Sequence, residues 1–96
     1  MRVIAKRTLR AFWSKHKDCE QQLKAWYKEA QEARWKKVKD IKRVYPSASV
    51  LPGNRVVFNI KGNKYRLSAR IVYRSQTLFV VTILTHEEYD LGRWKE

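Results

Sequence analysis

Cysteine is almost missing from this chain: Cys19 stands alone among 96 residues. No disulfide can form within the chain, which fits a reducing compartment, and a cytoplasmic location is expected. Histidine is nearly as scarce, with only His16 and His86, far apart and without cysteines at ligand spacing. A structural zinc site is therefore not expected, and neither a metal nor a cofactor is called for. No apolar run reaches the roughly eighteen residues that a membrane-spanning helix needs. The start, Met1-Arg2-Val3-Ile4-Ala5-Lys6, is charged too early for a signal peptide. Linkers, repeats and low-complexity segments are absent, so residues 1–96 are expected to form a single domain.

Acidic residues are few as well, nine against 22 Lys and Arg, giving a formal net charge of +13. Solubility does not require such an excess. It attracts polyanions, whose released counterions favour binding at low salt, and so points to nucleic acid or the ribosome. The surplus is uneven: residues 1–45 carry fourteen basic and five acidic residues, and residues 46–96 carry eight and four. Arg34, Lys36, Lys37, Lys39, Lys42 and Arg43 form the densest run and are candidates for docking on ribosomal or other RNA.

The chain changes character at Pro46. Before it, Met1 to Ala5 reads as a short edge strand. Thr8 reads as an N-cap, followed by Leu9, Phe12, Trp13 and His16 at helical spacing. Asp18 with Gln21 looks like a second capping signal. Cys19, Leu23, Trp26, Tyr27, Ala30 and Ala33 continue an apolar stripe, either as one helix over 8–34 or as two. Val38, Ile41, Val44 and Tyr45 predict a further short helix, ended by Pro46. After it, Ser47, Ser49, Pro52, Gly53 and Asn54 read as loop. Three strands follow: Arg55 to Ile60, Lys64 to Tyr73, and Thr77 to Leu84. The predicted class is α+β, with the N-terminal helices on one face of a small antiparallel sheet.

The other face of the middle strand then presents Lys64, Arg66 and Arg70, with Asn59 on the neighbouring strand. Taken alone, alternating cations are often the wet side of a half-exposed sheet. The segment Thr85-His86-Glu87-Glu88-Tyr89-Asp90 adds to them. Thr85 and Glu88 have capping-box spacing, so a helical turn should start at His86 and carry His86 and Tyr89 on one side. An arginine for a phosphate, a histidine that titrates near neutrality and a tyrosine able to stack or hydrogen-bond are what a ribonuclease independent of metal needs.

Several elements together resemble the HigB-type toxins, a branch of the RelE superfamily of bacterial toxin–antitoxin systems. They are Val57-Phe58-Asn59-Ile60-Lys61-Gly62-Asn63-Lys64-Tyr65-Arg66-Leu67, the hydrophobic strands after it, and Thr85-His86-Glu87-Glu88-Tyr89-Asp90. The resemblance implies a RelE-like microbial ribonuclease architecture and messenger RNA cleavage, often on the translating ribosome. It also implies a helix-turn-helix antitoxin of the HigA type, in a toxin–antitoxin hetero-oligomer. By the same resemblance Arg66 would contact the scissile phosphate, and His86 and Tyr89 would flank it. Where RelE has lysines on the strand before the arginine, this chain has Val57 and Asn59.

The expected reaction is attack of an RNA 2′-hydroxyl on the adjacent phosphate, with Arg66, His86 and Tyr89 catalytic. Asn59, Lys61, Asn63, Lys64, Arg70 and Arg74 would hold the substrate. A nucleic-acid-binding module without catalysis, a purely structural or partner-binding protein, and a gyrase-inhibiting toxin on the same fold are the rival readings. The antitoxin is expected mainly on the N-terminal half, with Trp35 as an exposed anchor.

Overall fold

The computed structural model describes residues 1–92. Along the chain run β1 (Arg2–Ile4), α1 (Lys6–Lys15), a 3₁₀ turn (Lys17–Cys19), α2 (Glu20–Glu32) and α3 (Val38–Val44). Then come β2 (Ser49–Leu51), β3 (Arg55–Ile60), β4 (Tyr65–Val72), β5 (Thr77–Thr85) and α4 (His86–Leu91). The sheet has the order β1-β5-β4-β3-β2, antiparallel except for the parallel pair β1–β5. This is the α+β class expected, with helices over one face.

The N-terminal half departs from expectation at its helix starts. The first helix begins at Lys6, with Ala5 at the N-cap and no side-chain cap, so Thr8 lies inside the helix and exposed. The chain turns into the helix directly from the β1 pairing, and Leu9 N–H donates to the Ala5 carbonyl at 2.9 Å. His16, at φ −128° and ψ 72°, breaks the helical path, so α1 and α2 are separate. Asp18 does not cap α2. Its carboxylate accepts from Lys64 Nζ at 2.5 Å, Lys61 Nζ at 3.3 Å and the Tyr65 hydroxyl at 2.7 Å. A residue that reads as a local cap instead ties the helical layer to the β3–β4 hairpin.

Residues 49–51, read as loop, form the edge strand β2. They pair with β3 across a turn in which Gly53 (φ 79°) and Asn54 (φ 58°) take left-handed backbone. Glycine has no Cβ to clash there, and asparagine tolerates the region. Three residues are too few for a period-two pattern to be visible in sequence.

The core lies between the helices and one sheet face. Leu9, Cys19, Leu23, Trp26, Ala30 and Ile41 from the helical layer meet Val56, Phe58, Leu67, Ala69, Ile71 and Leu78 from the strands. Phe58 is the hub, with the rings of Trp26, Trp35 and Tyr45 packed around it at centroid distances of 5.4, 6.1 and 5.1 Å. Trp35 is 4% exposed, so it is a core residue and not the surface anchor expected. With this face closed by the helices, the arginines of β4 are left on the opposite one.

Candidate active site

Pairing of β3 with β4 sets Asn59 directly opposite Arg66, and pairing of β4 with β5 sets Leu84 on its other side. All three point away from the helices. Arg66 is half-buried; one terminal nitrogen donates to Asn59 Oδ1, and the other lies 3.5 Å from His86 Nδ1. Its guanidinium carbon sits 4.9 Å from the centre of the Tyr89 ring. A guanidinium on an aromatic face is stabilised by the ring quadrupole, so Tyr89 helps to hold the Arg66 guanidinium in place. Each terminal nitrogen carries a second N–H beyond these contacts, a donor that an oxyanion can use.

His86 and Tyr89 reach Arg66 because α4 starts where the capping box requires. Thr85 Oγ1 accepts from Glu88 N–H at 3.2 Å, and the Glu88 carboxylate accepts from Thr85 N–H at 2.9 Å. His86 N–H also donates to the Lys64 carbonyl at 2.9 Å, pinning the helix to the start of β4. Gly92 closes it at φ 74°. His86 Nε2 lies 3.0 Å from Asp90 Oδ2, one turn on. Because a carboxylate only accepts, Nε2 carries the proton in the neutral imidazole, and the Nδ1 lone pair faces Arg66. Asp90 lies in the hexapeptide that the sequence singles out, yet no role for it was expected; its i, i+4 spacing from His86 is the signal that points to one.

The other predicted site residues are dispersed. Lys61 and Lys64 are engaged with Asp18. The Lys64 ammonium and then the Tyr65 hydroxyl hold the Asp18 carboxyl well below the usual carboxylate range, while Asp18 pushes Lys64 up. A lysine so held stays protonated and is no general base. Burial, and then Asp18, raises Tyr65. Asn63 is exposed in the hairpin turn. Arg70 lies four residues along β4 from Arg66, and Arg74 lies at the far end of the sheet, where it lines a cavity with Arg34, Lys36 and Tyr73. Lys37 and Lys39 are exposed. Arg43 is 3.6 Å from Asp40, and Lys42 donates to the carbonyls of Pro46 and Ala48 at 2.9 and 2.8 Å. Lys42 thus closes the turn after α3. A second cleft, lined by His16, Lys64, Tyr65, Thr85, His86 and Glu87, opens beside the cluster, and it brings in His16, for which the sequence suggested only a place on a helix.

Helices behind a sheet, with an Arg–His–Tyr cluster on the face away from them, are consistent with the RelE-like class of small toxin. A profile of the HigB toxin family, the RelE-like toxic component of a toxin–antitoxin system, matches residues 19–92, and the chain belongs to that family. It is similar to the mRNA interferase toxin HigB of Escherichia coli strain K12, at 28% identity over 92 residues, covering 94% of this chain and 88% of the relative. The mRNA interferases HigB of Escherichia coli O157:H7 and Shigella flexneri match with the same identity and coverage.

Proposed function

We propose that this protein is the toxin of a toxin–antitoxin pair and acts as a messenger RNA endoribonuclease. The observation that carries the reading is Arg66, held by Asn59, His86 and Tyr89 on the open face of the sheet. A phosphate gripped by Arg66 lies beside His86 Nδ1. His86 takes the proton of the 2′-hydroxyl as its oxygen bonds to phosphorus. Asp90 holds the Nε2 proton and stabilises the imidazolium that forms. The bond to the 5′-oxygen then breaks, leaving a 2′,3′-cyclic phosphate and, once that oxygen is protonated, a 5′-hydroxyl. Arg66 stabilises the charge gathering on the phosphoryl oxygens, and loss of one such preorganised donor costs about a hundredfold or more in rate. Tyr89 orients the guanidinium and offers a face to a base.

The protein acts as one domain in the cytoplasm on messages engaged by the ribosome, with a HigA-type helix-turn-helix antitoxin as its inhibitor. Among the described residues no helix is long and apolar enough to cross a membrane. Induced expression followed by mapping of messenger 5′ ends tests the reading. New 5′ ends should accumulate with the wild type and vanish with Arg66→Ala. Unchanged messenger lengths under full growth arrest would overturn it and favour gyrase or another target.

A further inference from the structure

The β3–β4 register sets Arg55 directly opposite Arg70 on the face away from the helices. Like charges facing each other across two strands destabilise a sheet. Among the described residues neither has an ion-pair partner, and the nine acidic residues of the chain leave few to spare. The row continues onto β5, where Phe79 lies beside Arg70 with its ring 6.0 Å from the guanidinium carbon. Phe79 is partly exposed, and Ile4 next to it on β1 is 44% exposed. Between this row and the row of Asn59, Arg66 and Leu84 lie Val57 and Ser68, both buried although they face away from the helices. The Ser68 hydroxyl has no hydrogen-bond partner among the described residues.

We infer that Arg55 and Arg70 form a second phosphate clamp for single-stranded RNA, with Phe79 as the platform for an adjoining base. This rests on the ribonuclease reading, which fixes the reacting phosphate at Arg66. Arg70 is four residues further along β4, about 13 Å at ~3.3 Å per residue, a gap that a short stretch of extended RNA backbone crosses. An RNA strand gripped at both arginines crosses the row of Val57 and Ser68, which are buried and offer it no contact, so its hold comes from the two ends. A bound phosphate turns the facing guanidiniums from a repulsive pair into a bidentate site. Phe79 supplies stacking that is indifferent to base identity.

Binding is measured with 2′-O-methyl oligoadenylates, which cannot be cleaved because the attacking hydroxyl is blocked. A dinucleotide is compared with an octamer. Arg55→Gln and Arg70→Gln should each weaken octamer binding roughly tenfold, the effect of one charged hydrogen bond. The salt slope should fall by about 0.7 for each phosphate that is no longer neutralised, and dinucleotide binding should hold. Melting temperature should stay level or rise, since a repulsion has been removed. Octamer affinity unchanged in both variants, or no greater than dinucleotide affinity in the wild type, overturns the clamp. The two readings fail separately: cleavage that depends on Arg66 with indifferent Arg55 and Arg70 variants removes only the clamp. Octamer binding that depends on Arg55 and Arg70, without any messenger cleavage, removes only the nuclease.

Discussion

Arg66 is held from three directions by residues distant in sequence: an amide on β3, an imidazole at the start of α4 and a ring one turn later. Its replacement therefore tests geometry as well as charge. Arg66→Ala should lower messenger cleavage by at least about a hundredfold with little loss of melting temperature. Arg66→Lys should recover little, because an ammonium cannot satisfy Asn59, His86 and a phosphate fork together. Full toxicity in a folded Arg66→Ala protein would remove the site from this face. In the proposed mechanism Asp90 acts through His86, so Asp90→Asn should reduce kcat about tenfold, part of the hundredfold or more that a positioned acid–base group supplies. KM for RNA should hold. A KM rise with unchanged kcat would make Asp90 a binding residue, and an Asp90→Glu variant that regains part of kcat would support the positioning role.

At the scale of elements, α4 is small but carries two catalytic candidates, and its capping box decides where it begins. Removing an N-cap hydroxyl costs about 1 kcal/mol. Thr85→Ala should thus shift the melting point modestly yet reduce cleavage far more, because His86 and Tyr89 lose their register against Arg66. Thr85→Ser should restore both; equal activity of Thr85→Ala and wild type would show that α4 is held by its other interactions. Asp18 ties the 3₁₀ turn to the hairpin. Its carboxyl is lowered from an ordinary value of 3.8, chiefly by Lys64, so this link stabilises the fold above that value and is lost as pH falls through the depressed folded one. Thermal melting from pH 7 down to pH 2 should therefore decline more steeply in the wild type than in Asp18→Asn; parallel curves would contradict the assignment. Most of this was legible in sequence: the strands of Arg55 to Ile60 and Lys64 to Tyr73 by period two, that of Thr77 to Leu84 by its apolar run, the capping box by spacing, and the Asn59–Arg66 pairing by face. Asp18 and Trp35 were not. A short acidic residue before a helix reads as a cap, and a tryptophan between Arg34 and Lys36 reads as exposed. Only the tertiary partners, Lys64 and Tyr65 for one and Phe58 for the other, override those local signals.

For the whole molecule, the surplus of positive charge matters more than any single interaction. Arg34, Lys36, Lys37 and Lys39 are exposed, whereas Lys42 is committed to backbone carbonyls. Reversing Lys36, Lys37 and Lys39 to Glu should weaken ribosome association and flatten its salt dependence while the melting temperature holds. Sedimentation with ribosomes across a salt series measures this, and identical profiles would assign the run to solvation alone. The antitoxin, expected on the same helical half, should also bind this variant more weakly than it binds Arg66→Ala. If calorimetric titration ranks them the other way, the inhibitor covers the catalytic face.

The parallel pairing of β1 with β5 has a consequence for how the protein is made. Among the described strands, the first along the chain pairs with the last, across Arg2–Thr77, Val3–Leu78 and Ile4–Phe79. His86, Tyr89 and Asp90 follow later still. A nascent chain therefore leaves the ribosome with neither a closed sheet nor an assembled site until residue 90 has emerged.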